Sequence, residues 1–211
     1  MKLLSFLVFV LACLSVAFSD NECSPLVTPL SLDDHQKILG TRTFISGYTD
    51  HDVYNAILKI TESTRMTFSE SAASKDVVVY EEMRMNGTCY GTKLNISIQH
   101  DVASTAVANI SSSFHLLPTC DGCLVLSINS SAHHLSSFLE AFHIHMPQDI
   151  AIPDVVNVHA VYLFAGGDHV KDADLDHFKK QAHCLGFSGE PNFLFDPKEG
   201  FCDGSKITML T

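Results

Sequence analysis

The chain has 211 residues, 46% of them hydrophobic, and sets 24 Asp plus Glu against 13 Lys plus Arg for a formal net charge of -11 at pH 7. That length suits one domain with its own core. The acidic balance argues against a nucleic-acid partner, which needs a basic patch. No segment after Phe18 is apolar for long enough to span a bilayer, which argues against stable membrane insertion.

The first element is a leader. Lys2 gives a positive start, Leu3 to Phe18 is almost wholly apolar, and Ala17-Phe18-Ser19 places small residues where a signal peptidase cuts. The pattern predicts a signal peptide over 1–19, a secreted, extracellular product, and one mature domain over 20–211. Cys13 falls in the leader. Six cysteines remain, namely Cys23, Cys89, Cys120, Cys123, Cys184 and Cys202. An even number in an exported chain predicts bridges, and six leave ~15 pairings open. Four sequons, at Asn86, Asn95, Asn109 and Asn129, predict outward positions carrying N-glycans.

Pro29 to Gly40 reads as a short helical turn or coil leading into a first strand at Thr41. A period of two then runs through the middle of the chain. From Leu58 the even positions Leu58, Ile60, Glu62, Thr64, Met66 and Phe68 form a buried face. Val77, Val79, Glu81, Met83 and Met85 form the next, and Tyr90, Thr92, Leu94, Ile96 and Ile98 another. Ala106, Ala108, Ile110, Phe114 and Leu116 are read as one further face, followed by Leu124, Leu126 and Ile128 and later by Tyr162 and Phe164. Residues 130–153 fit either an amphipathic helix, from Leu135, Phe138, Leu139 and Phe142, or a strand at Phe142-His-Ile-His-Met. A later helix is expected from Leu175, Phe178 and Ala182, capped by Asp172 or Asp174 and ended by Gly186. Many strands with one apolar face each predict a mainly β fold, either a sandwich or a closed barrel. About eight strands close around room for one small ligand.

No nucleophile elbow, zinc-protease motif or phosphate loop occurs, so no enzyme and no cofactor is expected. Cys120 and Cys123 could serve a thiol–disulfide enzyme. The strand-like Leu124-Val-Leu-Ser-Ile that follows favours a structural bridge, because a catalytic pair of this spacing usually heads a helix. His133, His134, His143 and His145 could coordinate zinc or an organotin, although such residues are more often a solvated face, and no metal site is assigned. Glu62 and Glu81, inward by parity, fit either a wet barrel mouth or a contact to a ligand cation.

At Ile38-Leu-Gly-Thr-Arg-Thr-Phe-Ile-Ser-Gly the chain resembles the start of a lipocalin barrel. Gly40 stands at the glycine of the Gly-x-Trp pattern, with Arg42 at the tryptophan position. Cys23 in Glu-Cys-Ser-Pro-Leu, the spacing from Tyr54-Asn55 to Cys89, and the ending from His183-Cys-Leu-Gly-Phe to Asp196-Pro-Lys-Glu-Gly-Phe-Cys202 narrow the likeness. They resemble the branch of α1-acid glycoprotein and apolipoprotein M, and most of all fish proteins that bind saxitoxin, tetrodotoxin or tributyltin. The resemblance implies an eight-stranded antiparallel up-and-down barrel with a C-terminal helix packed outside. It implies bridges Cys23–Cys184, Cys89–Cys202 and Cys120–Cys123. It also implies a monomeric carrier of a small hydrophobic or amphipathic ligand, with association to lipoprotein particles among its partners. The implied pocket holds Phe44, Tyr54, Leu58, Thr64, Met66, Val79, Tyr162 and Phe164. Parity points all of these inward except Phe44 and Tyr54, and adds Glu62, Glu81 and Leu126.

Overall fold

The computed structural model describes residues 22–71, 76–202, 204 and 206–210; the predicted signal peptide lies outside them. Eight strands form the barrel: β1 Gly40–Thr49, β2 Thr61–Glu70, β3 Val77–Met85, β4 Thr88–Gln99, β5 Val102–Val107, β6 Ile110–Leu117, β7 Cys123–His133 and β8 Val155–Ala165. Each pairs antiparallel with the next, and β8 returns to β1. The sheet is therefore closed on itself, and its inner face is the apolar one.

Two parity readings give way to local geometry. Residues 58–60 are not strand. They end a helix, α1 (Asp52–Ile60), whose Val53, Ala56, Ile57 and Ile60 recur at helical spacing, and His51 caps it by accepting the Val53 amide at 3.2 Å. Leu58 is thus buried on a helix. In the second case, β5 and β6 are separate strands. The chain reverses at Ala108, whose φ is 49°, and Asn109, so Ala106 and Ala108 are exposed. Ala103, Thr105 and Val107 carry the inner face instead, opposite Phe114, Ser112 and Ile110.

Residues 130–153 finish β7 at His133 and then form a short helix, α2 (Leu135–Ala141), followed by turns. The later helix, α3 (Asp172–Cys184), lies outside the barrel. Its N-cap is Lys171, with Asp172 and Asp174 in the first turn, where they complement the helix dipole instead of capping. Gly186, at φ 93°, follows the C-cap in the conformation glycine adopts most readily. Phe178 meets Tyr48 of β1 at 5.8 Å between ring centroids. The buried Gln181 amide donates to the carbonyls of Leu26 and Pro118, both at 2.7 Å, tying the N-terminal arm and the β6–β7 loop to the helix. Arg42, at the tryptophan position of the resemblance, is half-buried and donates from Nη1 to its neighbour's carbonyl, that of Thr41, at 3.0 Å.

Disulfides join Cys23 to Cys184, Cys89 to Cys202, and Cys120 to Cys123. The second holds a tail strand in place. The ladder between β4 and β5 runs only from Ser97 to Gln99, so β4 keeps a free edge near its start. There β10 (Ile207–Met209) pairs parallel with Cys89–Gly91. Leu210 follows it inward; its amide donates to the Gly91 carbonyl at 2.7 Å and its carbonyl accepts from the Thr92 hydroxyl at 3.1 Å. The tail thus covers the free edge of β4. A two-residue strand, β9 (Phe193–Leu194), pairs with β1 where β2 has left it.

Candidate ligand cavity

A cavity of about 310 Å³ lies inside the barrel, within the size range of small-molecule sites. Its wall comes from parity-defined inner positions: Met66 and Phe68 on β2, Val79, Glu81 and Met83 on β3, Thr92, Leu94 and Ile96 on β4, Leu126 and Ile128 on β7, Tyr162 and Phe164 on β8. The apolar core beneath it includes Phe44, Leu116 and Leu124. A second apolar cluster roofs it, built from Val53 of α1, Leu135 and Leu139 of α2, Ile144, and Leu210 of the tail. Tyr54, Ile57 and Phe138 reach into the cavity from the roof helices.

Of the eleven residues expected to bind ligand, Tyr54, Met66, Val79, Glu81, Leu126, Tyr162 and Phe164 lie on this wall, and Phe44, Leu58, Glu62 and Thr64 do not. Phe44 faces inward, paired with the wall residue Phe164, but does not reach the cavity. It stacks on Phe193 at 4.4 Å and abuts Tyr162 at 4.9 Å and Phe164 at 5.3 Å, so it supports the wall from the core. Leu58 belongs to the core on α1. Glu62 is the extra residue of a β-bulge, since Thr61 pairs with Met85 and Ser63 with Arg84. It turns to Arg84 at 2.6 Å and accepts the Gly87 amide at 2.7 Å. A bulge breaks period two, which is why parity misplaces it. Thr64 pairs with inward Met83 and is buried, yet it stops short of the cavity.

Glu81 is the one carboxylate among the lining residues. Its side chain is half-buried by accessible surface, and that surface opens into the cavity. Withdrawal from bulk water pushes its carboxyl up to about 7. Burial also raises the phenols of Tyr54 and Tyr162, with the neighbouring Tyr54 and Glu81 charges raising Tyr162 further. Sequence reasoning missed Ile57, Phe138 and Leu210 because they arrive from helices and the tail, where strand parity has no reach. It also missed the polar wall positions Thr105, Ser112 and Ser130. Their strands are legible, but hydroxyl residues carry no apolar signal.

The four sequon asparagines are all exposed. His133, His134, His143 and His145 are exposed, and among the described residues no three His, Cys, Asp or Glu gather to hold a metal. The bridged Cys120–Cys123 turn leads directly into β7, not into a helix. No helix among the described residues is long and apolar enough to cross a membrane.

No family model matches the sequence, and no curated protein matches it. Solved structures do match in fold. The siderocalin Ex-FABP, described as functioning through dual ligand specificities, superposes with a TM-score of 0.55 at 12% identity, covering 76% of this chain and 95% of that one. A second siderocalin, described as having a dual ligand binding mode, gives 0.52 at 12% identity over 74% and 87%. An odorant-binding protein gives 0.51 at 9% identity over 75% and 90%. At these identities the likeness is one of fold, and the fold is that of the lipocalins.

Proposed function

We propose that this chain is a secreted lipocalin that carries a small hydrophobic or amphipathic molecule in its barrel and performs no chemistry on it. One observation carries the reading: a cavity of about 310 Å³, walled mainly by apolar side chains, inside a closed barrel. Affinity would come from burying ligand area in a largely pre-formed apolar site. The fold neighbours support this, since two are described by their ligand binding and the third is named for it. The leader pattern and three disulfides support export. The same reading has glycans on Asn86, Asn95, Asn109 and Asn129, a working monomer, and lipoprotein particles among its partners. It places the chain in the α1-acid glycoprotein and apolipoprotein M branch. The direct test is displacement of a neutral fluorescent probe such as phenylnaphthylamine. Met66→Arg puts an unpaired charge on the cavity wall and should abolish probe binding. Lys59→Arg, exposed on α1, should leave it unchanged. A folded Met66→Arg variant that binds as tightly as the parent would overturn the barrel-interior site.

Glu81 favours a narrower second reading, a scavenger of cationic toxins or other basic xenobiotics. A carboxylate in an apolar cavity pairs well with a ligand ammonium or guanidinium. The roles open to Glu62 and the histidines lose support, because Glu62 is bound to Arg84 and, among the described residues, no three metal-ligating side chains gather. If Glu81→Gln binds an alkylammonium ligand as tightly as the parent at pH 8, this reading is wrong.

A further inference from the structure

The cavity wall is polar along one line. Thr105 on β5 stands opposite Ser112 on β6, and Ser112 stands opposite Ser130 on β7. All three line the cavity. The pairing makes them a row of hydroxyls across three adjacent strands. The inner positions around them are apolar: Val107 and Ile110 on one side, Phe114 and Ile128 on the other, and Val158 at the end of the row.

Their hydrogen bonds do not close. The Ser112 and Ser130 hydroxyls lie 2.7 Å apart, so one donates to the other and the acceptor keeps its own proton free. The Thr105 hydroxyl oxygen is buried and has no partner. Directly paired residues on neighbouring strands hold their Cβ atoms about 5 Å apart, so one ligand atom can bridge Thr105 and the serine pair. A buried hydroxyl left unmade is costly, whereas a group that completes it recovers that cost.

Building on the carrier reading, we propose that Thr105, Ser112 and Ser130 form a second anchor in the cavity, for a neutral oxygen acceptor such as a ketone, ester or amide carbonyl on an apolar framework. Two free protons suit the two lone pairs of one carbonyl oxygen. This subsite is separate from Glu81, which lies on β3. A ligand with a carbonyl alone would use the hydroxyl row, and one with an added basic nitrogen would reach both.

The test uses two neutral probes of equal shape: methyl naphthyl ketone, and its isostere with a methylene in place of the carbonyl oxygen. Each competes with phenylnaphthylamine for the full protein. The parent should prefer the ketone. Thr105→Val, which removes the hydroxyl at constant shape, should weaken the ketone roughly 3- to 10-fold and leave the isostere unchanged. Ser112→Ala with Ser130→Ala should do the same, and Thr105→Ser should restore ketone binding. Equal loss of both probes, or ketone affinity indifferent to Thr105→Val, overturns the anchor. Failure of both probes to displace phenylnaphthylamine from the parent would instead remove the carrier reading on which it rests.

Discussion

Gly47 has no side chain because two rings occupy its place. A Cβ there would stand 2.6 Å from the Phe44 ring and 2.8 Å from the Tyr162 ring, closer than carbon atoms approach. Tyr162 is a wall residue, so Gly47→Ala should push it into the cavity. We expect weaker probe binding and a destabilisation of about 1–3 kcal/mol, the cost of overpacking, read from a denaturant melt with binding on the same protein. Glu81 gives a pH signature. Its carboxyl titrates near 7 in the folded chain against an ordinary 4.5. Between those values the folded state holds more proton than the unfolded one. Stability contributed here therefore falls as pH rises from about 4.5 to about 7 and is level above that window. Glu81→Gln should remove that part of the slope, and denaturant midpoints across pH 4 to 8 measure it. For a ligand that stays cationic, affinity should rise through about pH 7, and the same variant should flatten the rise.

At the scale of elements, the roof decides access. Leu139 of α2 is buried over the cavity, so Leu139→Ala should cost about 2–5 kcal/mol. Phe138 is half-buried and faces the cavity. Phe138→Ala should speed probe dissociation more than it lowers stability, which stopped-flow release and a thermal melt separate. The strands beneath were largely legible, because a sheet with one buried face must alternate. Met66, Val79 and Tyr162 could be placed from period two alone. Alternation fails where the backbone departs from a plain strand. The helical end of α1 moves Leu58, the bulge moves Glu62, and the turn at Ala108 shifts β5 by one residue and hides Thr105. The insert over 130–153 gave two readings because Phe142, Ile144 and Met146 alternate while Leu135, Phe138 and Leu139 keep helical spacing. The structure uses the second spacing for α2 and folds Ile144 into the roof.

At the scale of the molecule, the three bridges are unequal. Cys23–Cys184 and Cys89–Cys202 close loops with sequence separations of 161 and 113, and Cys120–Cys123 one of 3. In the chain-entropy model the long loops are worth about 5 kcal/mol each and the short one under about 2. Paired Cys→Ser variants should follow that order in thermal midpoint. The cysteine count alone gives no such ranking, because it leaves the pairings open; only the family resemblance implies a set of pairs. The middle bridge has a further effect. It fastens β4 to the tail whose Leu210 covers the free edge of β4 and lines the cavity, so one covalent bond outside the barrel holds part of the inner wall in place. Both its cysteines are half-buried. Cargo retention should then depend on redox surroundings. An oxidising fluid keeps the seam sewn, and a reducing compartment lets the tail swing away and the contents leak sideways between β4 and β5, with the roof still in place. Loaded protein given a mild thiol should lose its probe while its circular dichroism is still native, and the Cys89→Ser, Cys202→Ser pair should leak from the start.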